Sequence, residues 1–241
     1  MKTILFAILS LSISLNSLAQ DSTITPLNNS FDSKLIKNES YDMTWFIEKD
    51  TAKIEIGKIN TEIKKIKNNV LIITTVIMNQ AQTKWVDTTI AKINNLKPIY
   101  HSSFNQQRDM VLNFDEKVTG YYFDKKTNTK NKIYETTTDS YFDSNIYPQL
   151  IRWLPLNNGY QKTISIFDYN PNAKTGVIKA FVKNVEKSKM SGNRDVWVVT
   201  VTDDISDNKA ISTYYIDIKT RQLIRQEIDI QGRKMVIELS N

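Results

Sequence analysis

One histidine serves the whole chain, so any Ser-His-Asp mechanism would have to pass through it. His101 stands in Tyr100-His101-Ser102-Ser103, and nothing resembling the G-x-S-x-G turn of a serine hydrolase accompanies it. A nucleophile needs a base, and the base needs a group that orients it. A lone histidine between strands reads instead as a surface or satisfied structural residue. No catalytic residue is assigned, and the protein is not expected to be an enzyme. Cysteine is absent, which excludes thiolate, disulfide and cysteine-metal chemistry. The oxygen ligands that remain would suit Ca²⁺, and the richest loop is Asp203-Asp204-Ile205-Ser206-Asp207-Asn208. That loop lacks the glycine and closing glutamate of an EF-hand, and a hairpin turn explains it. Asp115 and Glu116 are adjacent, so on a strand they point to opposite faces. No metal and no cofactor are expected.

The aromatic residues offer more than the ionisable ones. Trp45, Trp85, Trp153 and Trp197 fall in four separate segments, and Tyr121-Tyr122-Phe123 and Tyr214-Tyr215 are adjacent aromatics. Neighbours on a strand face opposite sides of a sheet. These residues supply either a core with scattered surface aromatics or an apolar concave surface for a ligand.

The elements that would hold them are strands. Tyr41 to Glu48 begins the series. Thr51 to Ile66 follows, with a phase slip at Gly57-Lys58 that marks a bulge or bend. Val70 to Asn79 is nearly continuous apolar and β-branched, as a central strand is. The strand pattern continues to Thr138, with a hairpin tip at Lys125–Lys130. The lysines there (Lys125, Lys126, Lys130 and Lys132) read as a solvated turn with edge-protecting charges rather than an anion-contacting tip. A meander from Gln161 to Leu239 closes the chain. The count is about a dozen strands with short connections, which predicts an all-β, β-rich domain with one central short helix: a large curved antiparallel sheet or half-open β-barrel.

The helix is expected at about 144–154. Ile146, Leu150 and Trp153 recur at i, i+4 and i+7, and Tyr147, Ile151 and Leu154 repeat the pattern one position along. Together they make an apolar face too wide for a surface helix. Asp143 or Ser144 is available to cap it, Pro148 suits its first turn and Pro155 ends it. Such a helix must lie deep in the curve of the sheet, as a plug or as a lid.

The N-terminus reads as an address. Lys2, an apolar run from Ile4 to Leu15 and Ser17-Leu18-Ala19 have the pattern of a signal peptide over residues 1–19. Residues 20–38 are polar and read as a flexible leader, with Leu35-Ile36 able to tuck against the domain. Residues 39–241 form one domain. No stretch after residue 19 is apolar and long enough to span a membrane. The expected location is exported, periplasmic or secreted. The net charge is +6, but the basic residues are interspersed rather than gathered in a stripe, which argues against nucleic acid as a partner.

Two stretches carry a resemblance. One is D-S-x-I-x-P-x-L-I-R-x-L-P-L, here Asp143, Ser144, Ile146, Pro148, Leu150, Ile151, Arg152, Leu154, Pro155 and Leu156. The other is Y-Y-I-D-x-K-T-R-Q-L-I-R-Q-E over Tyr214 to Glu227. Over roughly Tyr41 to Leu239 the chain resembles an uncharacterised family of exported bacterial β-proteins, a domain of unknown function, similar in fold to the lipoprotein carriers LolA and LolB. The resemblance implies a half-open barrel with helical material against its concave face, in which LolA-like proteins accept acyl chains. The expected function is a non-enzymatic binding protein for a lipid or other apolar ligand. Ile146, Tyr147, Leu150, Trp153 and Leu154 are the candidate ligand-binding residues. The alternative is a structural or adaptor protein of the bacterial envelope that binds another envelope protein through a sheet edge or face.

Overall fold

A computed structural model describes residues 23–50, 52–171 and 173–240. The signal-peptide reading of residues 1–19 lies outside the described residues. The period-2 segments all become strands, in the order β1 (Glu39–Lys49), β2 (Ala52–Ile66), β3 (Asn69–Met78), β4 (Trp85–Lys92), β5 (Pro98–Phe104), β6 (Arg108–Phe114), β7 (Val118–Asp124) and β8 (Thr129–Glu135). After these come β9 (Phe142–Asp143), the helix α1 (Tyr147–Trp153), β10 (Lys162–Asp168), β11 (Gly176–Met190), β12 (Arg194–Asp203), β13 (Ala210–Asp217), β14 (Leu223–Ile230) and β15 (Arg233–Leu239).

Among the described residues these 15 strands form a single sheet, ordered β8-β7-β6-β5-β4-β3-β2-β1-β15-β14-β13-β12-β11-β10-β9. It is a large curved sheet whose hydrogen-bond ladder does not close into a barrel. It is also mixed rather than purely antiparallel, because β9 pairs in parallel with β10 through Ile166↔Phe142 and Phe167↔Asp143. Two residues carry no readable period, so this strand was invisible in the sequence. The phase slip in β2 is a real irregularity: Trp45 pairs with Gly57 and Phe46 with Glu55, leaving Ile56 as the extra residue. Gly57 is needed there, because a Cβ would lie 2.5 Å from the Ile77 carbonyl oxygen.

Strand alternation sorts the side chains onto two faces. The inner face carries Tyr41 and Met43, Ile63, Val70 and Ile72, and Ala91. From the far arm come Val199, Val201, Tyr214 and Ile216. α1 lies against this face, and Ile146, Leu150, Ile151, Trp153 and Leu154 are all 0% exposed within the same core. A second cluster joins Met110, Leu112, Phe114, Val118, Tyr122 and Ile133 of the β6–β8 arm to Tyr141 and Phe167. β10 therefore sends Ile164 and Ile166 into the main core and Phe167 into the second. The sheet rolls like a scroll, with its β9–β10 end tucked against the inner face of β4–β7.

Residues 23–38 are not a loose leader. Ile24 bridges to Ile164, Asp32 accepts from Lys34 N to start a short 3-10 turn over Ser33–Leu35, and Ile24, Phe31 and Ile36 are buried in the main core. The segment is polar in composition, but three isolated apolar anchors suffice to dock it. Among the described residues no helix is long and apolar enough to cross a membrane.

Candidate functional site

The helix forms where expected, but its start differs. Its N-cap is Ile146, without a side-chain cap, and neither Asp143 nor Ser144 caps it. Both are engaged in the seam described below. Pro148 lies in the first turn, and Leu154, before Pro155, turns to extended geometry (φ −66°, ψ 154°). The candidate residues Ile146, Tyr147, Leu150, Trp153 and Leu154 are brought together by this helix and packed into the core. The hollow beneath them is filled by their own side chains.

Polar ties hold the helix in place. Arg152, 2% exposed, donates from Nε to the Arg221 carbonyl (2.6 Å), from Nη1 to Gln149 Oε1 (2.7 Å) and from Nη2 to Glu39 Oε1 (2.8 Å). Arg221 Nη1 donates back to the Leu154 carbonyl (3.3 Å). At the other end the Tyr147 hydroxyl donates to Asp203 Oδ2 (2.5 Å). Burial, reinforced by Tyr214 and Asp203, pushes the Tyr147 hydroxyl well above its usual range, so it stays a donor. Asp203 also accepts from Ser206 N, so the oxygen-rich loop closes on its own backbone and on the helix.

A polar seam marks where the rolled sheet meets itself. Asp143 of β9 accepts from Thr89 Oγ1 (2.8 Å), and its other carboxylate oxygen lies 2.9 Å from His101 Nδ1. Asn145 Nδ2 donates to Thr89 Oγ1 (2.9 Å), and Ser144 Oγ donates to Asp168 Oδ1 (2.7 Å). Burial opposes charge on His101, but the Asp143 carboxylate, helped by Asp87 and Asp168, more than compensates, and the imidazole pKa is raised above 6.5. Burial also raises the Asp168 pKa, against the Ser144 hydrogen bond. Among the described residues no hydroxyl is hydrogen-bonded to the second ring nitrogen of His101, so an Asp-His pair is present without an attached nucleophile.

Above the seam, toward the β3–β4 and β5–β6 turns, the inner face is open. A cleft of about 480 Å³ is lined by Val76, Met78, Trp85, Arg108, Tyr122 and, from the opposing turn, Asn170, together with residues of the two turns. Register places Val76 opposite Trp85, with Asp87 opposite Ser103 and Ser103 opposite Met110 in the row beneath. Trp85 Nε1 donates to Asp87 Oδ1 (2.7 Å) and Ser103 Oγ (3.1 Å), which sets the indole as one wall over a polar floor. The same end of the inner face continues across Trp45, Ile47, Ile54, Ile228 and Met235, with Ile54 half exposed. The sequence pointed to Trp45, Trp85 and Tyr122 as dispersed aromatics. It did not point to Arg108, whose only signal is a basic residue in the apolar phase of Arg108-Met110-Leu112-Phe114.

The larger surface hollow, about 900 Å³, lies near the β5–β8 end of the sheet beside Lys92, Lys97, Asp115, Glu116, Lys117 and the exposed Tyr134. Among the described residues no group of three or more His, Asp or Glu side chains is placed to hold a metal ion. Residues 40–238 match the model of a family described as "Protein of unknown function (DUF3108)", and the chain belongs to that family. No curated protein matches the chain.

Proposed function

We propose that this member of an uncharacterised family is an exported, non-enzymatic binding protein that holds a lipid or other apolar ligand against the inner face of its curved sheet, in the manner of LolA and LolB. The observation that carries the reading is the incomplete filling of that face. α1 plugs one part of it, while Trp45, Met78 and Trp85 stay only partly covered, and Met78 and Trp85 line the cleft together with the buried Val76. At about 480 Å³ the cleft falls in the size range of small-molecule sites, about 300–1,000 Å³, and its lining is mixed, with Val76, Met78, Trp85 and Tyr122 facing Asn105, Gln107 and Arg108. Export rests on the signal-like pattern of residues 1–19.

The reading moves the ligand contacts away from the helix. Ile146, Tyr147, Leu150, Trp153 and Leu154 could touch a ligand only if α1 left the core. Exposing even three such side chains costs about 5–9 kcal/mol. The cleft offers contact at no such expense. The binding residues proposed are therefore Val76, Met78, Trp85 and Tyr122, with α1 as a permanent plug.

The test is native mass spectrometry with solvent extraction on protein purified from its own cell envelope, alongside displacement of a naphthylamine dye. A stoichiometric apolar ligand, lost on Met78→Glu with the fold intact, is the expected result. Protein that carries no ligand and leaves the dye unshifted rules the reading out. A second reading, an envelope adaptor, draws on the outer edge of β8, which has no strand beside it among the described residues and carries the exposed Tyr134. A stoichiometric protein partner recovered without lipid, and lost when Ile133 is replaced by proline, would favour it.

A further inference from the structure

Arg108 is the member of the cleft that an apolar ligand leaves without a role. It stands on the inner face of β6, above the polar row of Ser103 and Asp87. Its Nη2 donates to Ser103 Oγ at 3.3 Å, and its guanidinium lies 6.0 Å from the centre of the Tyr122 ring. Its Nε is buried and has no acceptor. Among the described residues no carboxylate comes within salt-bridge distance of it. The neighbouring acids are engaged elsewhere: Asp87, in the row beneath, accepts from Trp85 Nε1. Asp124, its partner in the β6–β7 register, accepts the backbone N–H groups of Lys126 and Thr127, and Asp168 accepts from Ser144. A guanidinium carries five donors in a planar fork, and a half-buried one with unused donors is an unfinished oxyanion site.

We infer that the ligand of this cleft is an anionic amphiphile, with a carboxylate or phosphate head on Arg108 and an alkyl chain running over Trp85, Val76 and Met78. The inference rests on the binding function proposed above and specifies its ligand class. The geometry suits a lipid chain. From β6 to β3 is three strand spacings, about 14 Å, and one acyl chain fills about 15 Å, half of a bilayer core. The head would complete the donors of Arg108 while the polar row beneath keeps the chain at the level of Val76 and Trp85. A cationic head would be repelled by the guanidinium, and a neutral head would accept hydrogen bonds without offsetting its charge.

The experiment compares probes that share one chain: laurate, dodecyl phosphate, dodecyl maltoside and dodecyltrimethylammonium, titrated by calorimetry below their micelle concentrations into the full-length wild-type protein and into Arg108→Gln. Laurate or dodecyl phosphate is expected to bind wild type about tenfold or more tightly than the other two, the value of one charge-assisted hydrogen bond. Arg108→Gln is expected to reduce that preference to within about twofold while binding of dodecyl maltoside is unchanged. Which anion binds more tightly separates a free fatty acid from a phosphorylated lipid. Equal binding of all four probes to wild type, or an anion preference that survives in Arg108→Gln, overturns the head-group inference and leaves the apolar site standing. Failure of every probe to bind overturns both. The comparison among heads is made on wild-type protein, so it stands even if the variant folds poorly.

Discussion

At His101 two opposing effects meet. Burial disfavours the imidazolium, and Asp143 at 2.9 Å favours it, with Asp87 and Asp168 adding in the same direction. The outcome is a raised pKa, so the native state holds the proton more tightly than the unfolded chain does. The sign follows: the contribution is fully present below the unfolded value of about 6.5 and is lost as pH rises through the higher folded value. Urea unfolding followed from about pH 6 to about pH 9 should show stability falling with pH in wild type and a flatter profile in His101→Asn. An equal slope in both would mean that the pair does not titrate in this range. Asp143→Asn should cost about 3 kcal/mol at pH 6, because it leaves His101 and Thr89 facing a poorer acceptor. The sequence left His101 as either a surface or a satisfied structural residue and could not supply its partner. Asp143 lies 42 positions away and reads locally as a helix cap. Local patterns find caps, whereas a contact between strand ends is set by how the whole sheet rolls.

The helix is too short to stand alone. Seven residues cannot offset the cost of nucleation in water, so α1 exists through its packing and its polar ties. Leu150→Ala should cost about 3 kcal/mol. Arg152→Ala should cost at least as much, because Glu39, Gln149 and the Arg221 carbonyl lose their donor together. Arg152→Lys should recover little, since an ammonium cannot serve three acceptors spread around a planar fork. Urea midpoints of the three variants measure this. The double stripe from Ile146 to Leu154 made the burial of this helix legible in advance, as did the two prolines that bound it. Strands were equally legible, since a period of two survives in almost every one, and even the bulge at Gly57 left its mark as a break in phase. What escaped were elements without a period: the two-residue β9 and the anchors Ile24 and Phe31, in a segment where only Leu35-Ile36 stood out as able to dock.

On the scale of the molecule, one open sheet covers one of its two ends by rolling. Its β9–β10 end is covered by the inner face of the opposite arm, through the polar seam at Asp143 and the rings of Phe114, Tyr141 and Phe167. The inner face is thereby divided. Below the seam it is plugged by α1, and above it stands the cleft. The division separates two modes of ligand binding that a curved sheet allows, displacement of the plug or occupation of the remaining space. Hydrogen exchange distinguishes them. If the cleft is the site, saturation with laurate at about 100 times its dissociation constant should stabilise the fold by about 2.7 kcal/mol. Added protection should then be concentrated in β3, β4 and the turns before Trp85 and Arg108. The amides of Leu150 and Leu154 should exchange no faster than before, because the helix never leaves the core. Faster exchange at those two amides on binding would instead make α1 a lid, and would return the ligand contacts to Ile146, Tyr147, Leu150, Trp153 and Leu154.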